Sequence, residues 1–229
     1  MTQNTPRFCK PVAYEAFQQA ALTLDTTDSL IQAAVAISQH LMLDASLSEV
    51  QREIEQLSKK IRDRIPNGSQ TGILAHLHDV LFEEQAFQGS PEDYYNPRNS
   101  CLPYVMQSHR GIPITLVLVY KAVAEQLGLK VNGLNCPGHF LAEVTIANDR
   151  MIIDPFRRGI MLTPAETLQY LEQIVNQPID PFQLSKVASH AAWIQRILRN
   201  LQNIFSMQEH TSHLQAMCEL EQLLSLDSE

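Results

Sequence analysis

Apolar residues in the first quarter of the chain recur at spacings of three and four, the period that lines one face of an α-helix. The clearest run is Leu47, Val50, Ile54, Leu57, Ile61 and Ile65. It follows Ser46-Leu-Ser-Glu49, where the Ser hydroxyl can accept an orphan helix N–H while the Glu reaches back. Pro66-Asn-Gly68 ends it. Two earlier helices are predicted, over Tyr14 to Leu24 and over Ser29 to Leu43, the second entered through Thr27 or Asp28 as its cap.

The middle of the chain is richer in punctuation. Residues 71–87 predict a helix closed by Gly89-Ser-Pro91, and Ile114 to Leu127 a strongly apolar one ending at Gly128. Between them lies a stretch dense in Asn, Pro, Tyr and Arg, with Asn99 or Ser100 capping a short helix from Cys101 to Ser108. Residues 130–146 and 150–154 predict two strands around an Asn148-Asp149 turn. Phe140, Ala142, Val144 and Ile146 alternate with Leu141, Glu143 and Thr145, a period of two. Helices return at Thr163-Pro164, and residues 187–207 and 211–224 pair as an antiparallel hairpin. The fold class is therefore α+β, predominantly α, with one small antiparallel sheet.

Composition narrows the function classes. The 229 residues carry 17 basic and 25 acidic side chains, a net charge of −8. Such a field repels nucleic acid and anionic membrane, and no Lys/Arg stripe overrides it. The segment MTQNTPRFCKPVAYEAF lacks an apolar core of signal-peptide length, and no apolar run approaches about 18 residues. Cys9, Cys101, Cys136 and Cys218 show no CxxC spacing, which excludes zinc ribbons and thioredoxin-type motifs. The expectation is a cytoplasmic protein with free thiols, no cofactor and no metal. The HExxH, GxSxG, P-loop and GxGxxG patterns are missing from the sequence. His76 and His78 point to different faces of one helix, and His210 and His213 cap the hinge of the last hairpin, a solvent position.

Candidate chemistry centres on Gly138-His139-Phe140 near a strand start and Asp154 at a strand end. Neighbouring antiparallel strands can bring such positions side by side, where a carboxylate fixes the imidazole tautomer and raises its basicity. A half-buried structural His and an Asp that starts a turn before Pro155 account for the same residues. The runs RGIPITLVLVYKAVAEQLGL, NCPGHFLAEV and MIIDPF resemble the transglutaminase-like core, in which a Cys, a His and an Asp form a papain-type triad. The run HDVLFEEQAFQGSPEDYYNPRNSCLPYVMQSHRGIPITL resembles the SirB-type (invasion-regulator) branch of that superfamily, which often carries a C-terminal tetratricopeptide-like helical hairpin.

The resemblance implies a helical region over 1–68 packed on a transglutaminase-like core over 69–185, with the hairpin over 186–229. His139 and Asp154 match the family's His and Asp. Its Gly-x-Cys element falls on Gly111 to Pro113, so a residue with no nucleophile stands where the Cys should be. A non-catalytic protein- or peptide-binding module is the first expectation. The alternative is a cysteine hydrolase or acyltransferase with a relocated thiol, Cys101 or, less readily, Cys136 three residues before His139. Tyr94, Tyr95, Arg98, Asn99 and Ser100, with Cys136, are expected at the cleft rim. Ala191, Ile194, Leu198, Leu201 and Phe205 on one terminal helix face Leu214, Met217, Leu220 and Leu224 on the other, and this pair is expected to dock on the core.

Overall fold

The computed structural model describes residues 5–225, apart from 66, 67 and 148 and the side chains of 185 and 225. The Pro66-Asn67 stop and the Asn148 half of the expected turn lie outside the described residues. Helices α1 (Pro11–Ala21), α2 (Thr27–Leu41) and α3 (Leu47–Arg62) form the first layer. The cap of α2 is Thr26, one residue before the expected position, because it exchanges hydrogen bonds with Ser29 in a capping box. Ser46 caps α3 by accepting the Glu49 N–H.

Helix α4 (Gln70–His78) does not run straight to residue 87. It widens into a π-turn over Asp79–Glu84 and gives way to the two-residue strand β1 (Gln88–Gly89). The wider turn seats Phe82 where a Cβ on Gly159 would meet its ring at 2.1 Å. A 3₁₀ turn over Pro97–Ser100, capped by Asn96, precedes α5 (Leu102–Ser108). Asn99 and Ser100 therefore lie inside that turn instead of capping α5, whose N-cap position is Cys101 with no side-chain bond. Strand β2 (Arg110–Gly111) pairs in parallel with β1.

Helix α6 (Pro113–Gln126) is buried on every side from Pro113 to Ala124, the mark of a central helix. Its one buried cation, Lys121, is held by Glu125 and the Val131 carbonyl. A four-stranded antiparallel meander packs beside it: β3 (Lys130–Cys136), β4 (His139–Ile146), β5 (Asp149–Asp154) and β6 (Ile160–Leu162). The expected strand over 130–146 is thus two strands, broken at Pro137-Gly138. Proline presets the first central φ of a tight turn and Gly138 takes the positive φ (+68°) that the second requires.

The sheet has two covered faces. Phe140, Ala142, Val144 and Ile153 join the main core with α6 and α8 (His190–Met207). Leu134, Cys136, Leu141 and Ile152 form a smaller cluster with Leu171 of α7 (Pro164–Val175) and with Ile179 and Leu184. Between β3 and α8 the packing is tight. A Cβ on Gly133 would lie 2.4 Å from the Trp193 ring and 2.7 Å from Phe140.

Helix α9 (Thr211–Ser225) folds back on α8, and Trp193, Ile197, Leu201, Met217 and Leu220 all belong to the main core. The Glu219 carboxylate accepts the N–H groups of Arg7, Phe8 and Cys9, tying the start of the chain to α9. His213 is not a solvent-exposed hinge residue: its Nδ1 lies 2.9 Å from Nε2 of buried His40. Among the described residues no helix is long and apolar enough to cross a membrane.

Candidate functional site

His139 opens β4 directly after the Pro137-Gly138 turn, and Asp154 closes β5. With Ala142 opposite Ile153, the antiparallel register leaves Leu141 beside Asp154, and His139 two residues further along the same face. His139 Nε2 and Asp154 Oδ2 are 3.0 Å apart, with only 4% and 0% of the two side chains exposed. Asp154 Oδ1 accepts the Phe156 N–H at 3.1 Å and so caps the 3₁₀ turn over Pro155–Arg157. Both sequence readings of these residues are thus present in one geometry: a His–Asp pair and a turn-starting Asp.

A carboxylate accepts and does not donate, so Nε2 carries a proton, and in the neutral imidazole Nδ1 is then the nitrogen with the lone pair. Phe156 and Tyr170 meet the imidazole edge-on, at 5.8 and 5.4 Å between centroids, and wall it from two sides. Arg157 lies over the Tyr170 ring at 4.4 Å.

A crevice runs past the imidazole, lined by Tyr94, Pro113, Ile114, Gly138, Phe140, Arg196 and Asn200 as well as His139. It has room for about 10 Å³, one water molecule at most. Pro113 stands at the first turn of α6, where its missing N–H costs nothing. The buried Asn99 carbonyl fixes this helix start by accepting from the Ile112 N–H and from Thr115 Oγ1.

The two candidate thiols are both buried. Cys101 is fully buried, its Sγ 3.6 Å from the Pro97 carbonyl and near Ser38, and burial pushes the thiol up to about 12. Cys136 sits opposite His139 in the β3–β4 register but is sunk in the small leucine cluster. Burial, with a further push from the Asp154 charge, raises its thiol to about 12 as well. Neither sulfur hydrogen-bonds to the imidazole among the described residues.

Of the expected rim, Tyr94 lines the crevice. Tyr95 is exposed and edge-on to Tyr94, and Arg98 is exposed over the Tyr104 ring. Ser100 is buried, and its hydroxyl has no hydrogen-bond partner among the described residues. Sequence reasoning did not single out Arg196 and Asn200. Their available signal was a pair of polar residues one turn apart, interrupting the apolar face of α8. Among the described residues no group of three or more His, Cys, Asp or Glu side chains is placed to hold a metal ion.

A profile of the transglutaminase-like superfamily matches residues 48–199, from α3 into α8 and across every crevice residue but Asn200. The chain belongs to that superfamily. It is similar to a UPF0162 protein of Xylella fastidiosa (strain 9a5c), 31% identical over 137 residues, which cover 58% of this chain and 49% of the other. The UPF0162 protein of Pseudomonas aeruginosa is 29% identical over 182 residues, 78% of this chain and 65% of that protein. F-box only protein 21 of Homo sapiens is 28% identical over 208 residues, 77% of this chain and 32% of that one. The chain spans about half the length of the Xylella relative and about a third of the F-box protein. No solved structure matches.

Proposed function

We propose that this transglutaminase-like chain binds a protein or peptide and does not transform it. The observation that carries the reading is Pro113 in the crevice beside His139, where the resemblance calls for a thiol. Two parts of the triad stay together, and the part that attacks has no side chain to do it with. The buried positions of Cys101 and Cys136 support the same reading, because a thiol held up at about 12 supplies almost no thiolate near neutral pH.

The proposal extends to the invasion-regulator branch of the superfamily, with α8 and α9 as a tetratricopeptide-like hairpin. It further places the chain in the cytoplasm, where its four cysteines stay free. The net charge of −8 argues against nucleic acid as the partner.

The test is the alkylation rate of each cysteine between about pH 5 and 9, read by mass spectrometry in the native chain and in His139→Ala. Cys101 and Cys136 are expected to react slowly at every pH and to ignore the mutation, while half-exposed Cys218 reacts first. Fast alkylation of Cys101 or Cys136 below pH 7, slowed in His139→Ala, would sink the binding reading. It would restore the relocated-thiol hydrolase or acyltransferase, with His139 shuttling the proton and Asp154 orienting the ring.

A further inference from the structure

Arg196 lies half-buried in the wall of the crevice, one helical turn before Asn200. Its Nη1 donates to Asn135 Oδ1 at 2.7 Å and to the Cys136 carbonyl at 3.5 Å, both neutral acceptors. Its Nε and Nη2 donate to no described residue, and no described carboxylate pairs with it. Buried cations are normally paired, and burial here works against the charge of Arg196. The guanidinium keeps a fork of donors for an acceptor that no described residue supplies.

Two more features point the same way. Arg157, exposed and stacked on Tyr170, adds a second cation one ring away from the imidazole, and it too forms no ion pair with a described residue. The carboxylate within the site, Asp154, spends its two oxygens on His139 and on Phe156 N–H, and so does not reach Arg196. In its neutral form His139 then offers Nδ1 as an acceptor in the same crevice that the guanidinium donor lines. The matching ligand group is a carboxylate with an N–H a few ångströms away, which describes the last residue of a peptide and also an Asp or Glu in the middle of one.

We infer that the crevice is a carboxylate-binding site, in which Arg196 and Asn200 hold the acid group of a peptide and His139 accepts its N–H. This rests on the binding reading above and names the ligand class. With room for about 10 Å³, the crevice admits a carboxylate only when Tyr94, the lining residue on a loop between β1 and α5, swings aside.

The experiment titrates isotope-labelled protein with three probes and follows the Gly138 and Asn200 amide signals. The probes are N-acetyl-tetraalanine with a free C-terminus, the same peptide as its C-terminal amide, and N-acetyl-Ala-Glu-Ala amide. At least one carboxylate probe is expected to bind about tenfold or more tightly than tetraalanine amide, the scale of a charge-assisted hydrogen bond. Which of the two binds decides between a chain end and an acidic side chain. Arg196→Gln is expected to abolish the difference between acid and amide, and Arg196→Lys to keep part of it.

Binding of both carboxylate probes no tighter than that of tetraalanine amide overturns the carboxylate site, and so does silence from both acid probes up to about 10 mM. Those two outcomes need no variant, so they stand even if Arg196→Gln fails to fold. Unchanged preference in a folded Arg196→Gln also overturns it. Conversion of tetraalanine amide into its acid overturns the non-catalytic reading instead, and leaves the acid–amide comparison to judge the site.

Discussion

Two buried histidines in this chain are each hydrogen-bonded through Nε2, and they do opposite things. His139, 4% exposed, has a carboxylate as partner; His40, 3% exposed, has another imidazole. Asp154 takes the Nε2 proton of His139 in a hydrogen bond and leaves Nδ1 unused by the described residues. In the second pair both nitrogens of His40 are engaged. His40 Nδ1 accepts the Lys10 N–H at 3.3 Å, so Nε2 carries the proton and donates to His213 Nδ1. A further proton on His40 has to displace Lys10. Burial first, then His213 and Lys10, push His40 down to about 4. The identity of the partner, more than the depth of burial, decides whether an imidazole is a tool or a rivet.

The largest blow to this contrast comes from Asp154→Ala. It strands the buried His139 N–H and uncaps the turn at 155–157, and is expected to cost about 3 kcal/mol in chemical denaturation. Asp154→Asn keeps one acceptor and should cost clearly less.

Acid is the next lever, and it acts on the other pair. His40 and His78 are both held near 4 in the folded chain, His78 by burial beside the Tyr120 hydroxyl, against an ordinary 6.5. The unfolded chain then binds protons that the folded one refuses. Stability from these groups is intact above about pH 6.5, falls as pH drops towards 4, and levels off below. The expected loss is on the order of 1–2 kcal/mol for each histidine after solvent screening. His40→Gln should flatten part of the slope of the denaturation midpoint against pH, and His139→Gln is the comparison that shows whether the effect belongs to the rivet.

Glu219→Gln weakens three N–H bonds that hold residues 7–9 near that rivet. About 1 kcal/mol is expected, seen as faster hydrogen exchange at Phe8 and Cys9 with little change in global unfolding. At the bottom of the scale, Lys59→Ala removes an exposed ion pair with Asp63, and a change beyond about 0.5 kcal/mol would be a surprise.

How much of this was legible depended on sequence distance. The stripe from Leu47 to Ile61 became α3, and Thr163-Pro164 became the capped start of α7, because helix faces and caps are local. His139 and Asp154, fifteen residues apart, could be matched across adjacent strands. The split at Pro137-Gly138 was hidden inside an apolar run whose period of two continues past it. His40 and His213 are 173 residues apart, and nothing near either one announces the other. Arg196 reaches the crevice only because α8 packs against β3, and such packing is a property of two surfaces, not of any short stretch of chain. His139 and Asp154 were therefore visible before the fold, while the far wall of their crevice was not.

That packing has a mechanical consequence. Gly133 leaves a notch in β3 just large enough for the Trp193 ring, with no slack for a methyl group. The notch works as a detent: α8 cannot slide or roll without lifting an indole out of the sheet. The Arg196 side of the crevice behaves as a fixed jaw and the Tyr94 loop as the moving one. Access to the imidazole should then be paced by one tyrosine on a surface loop, at the speed of loops and not of helices.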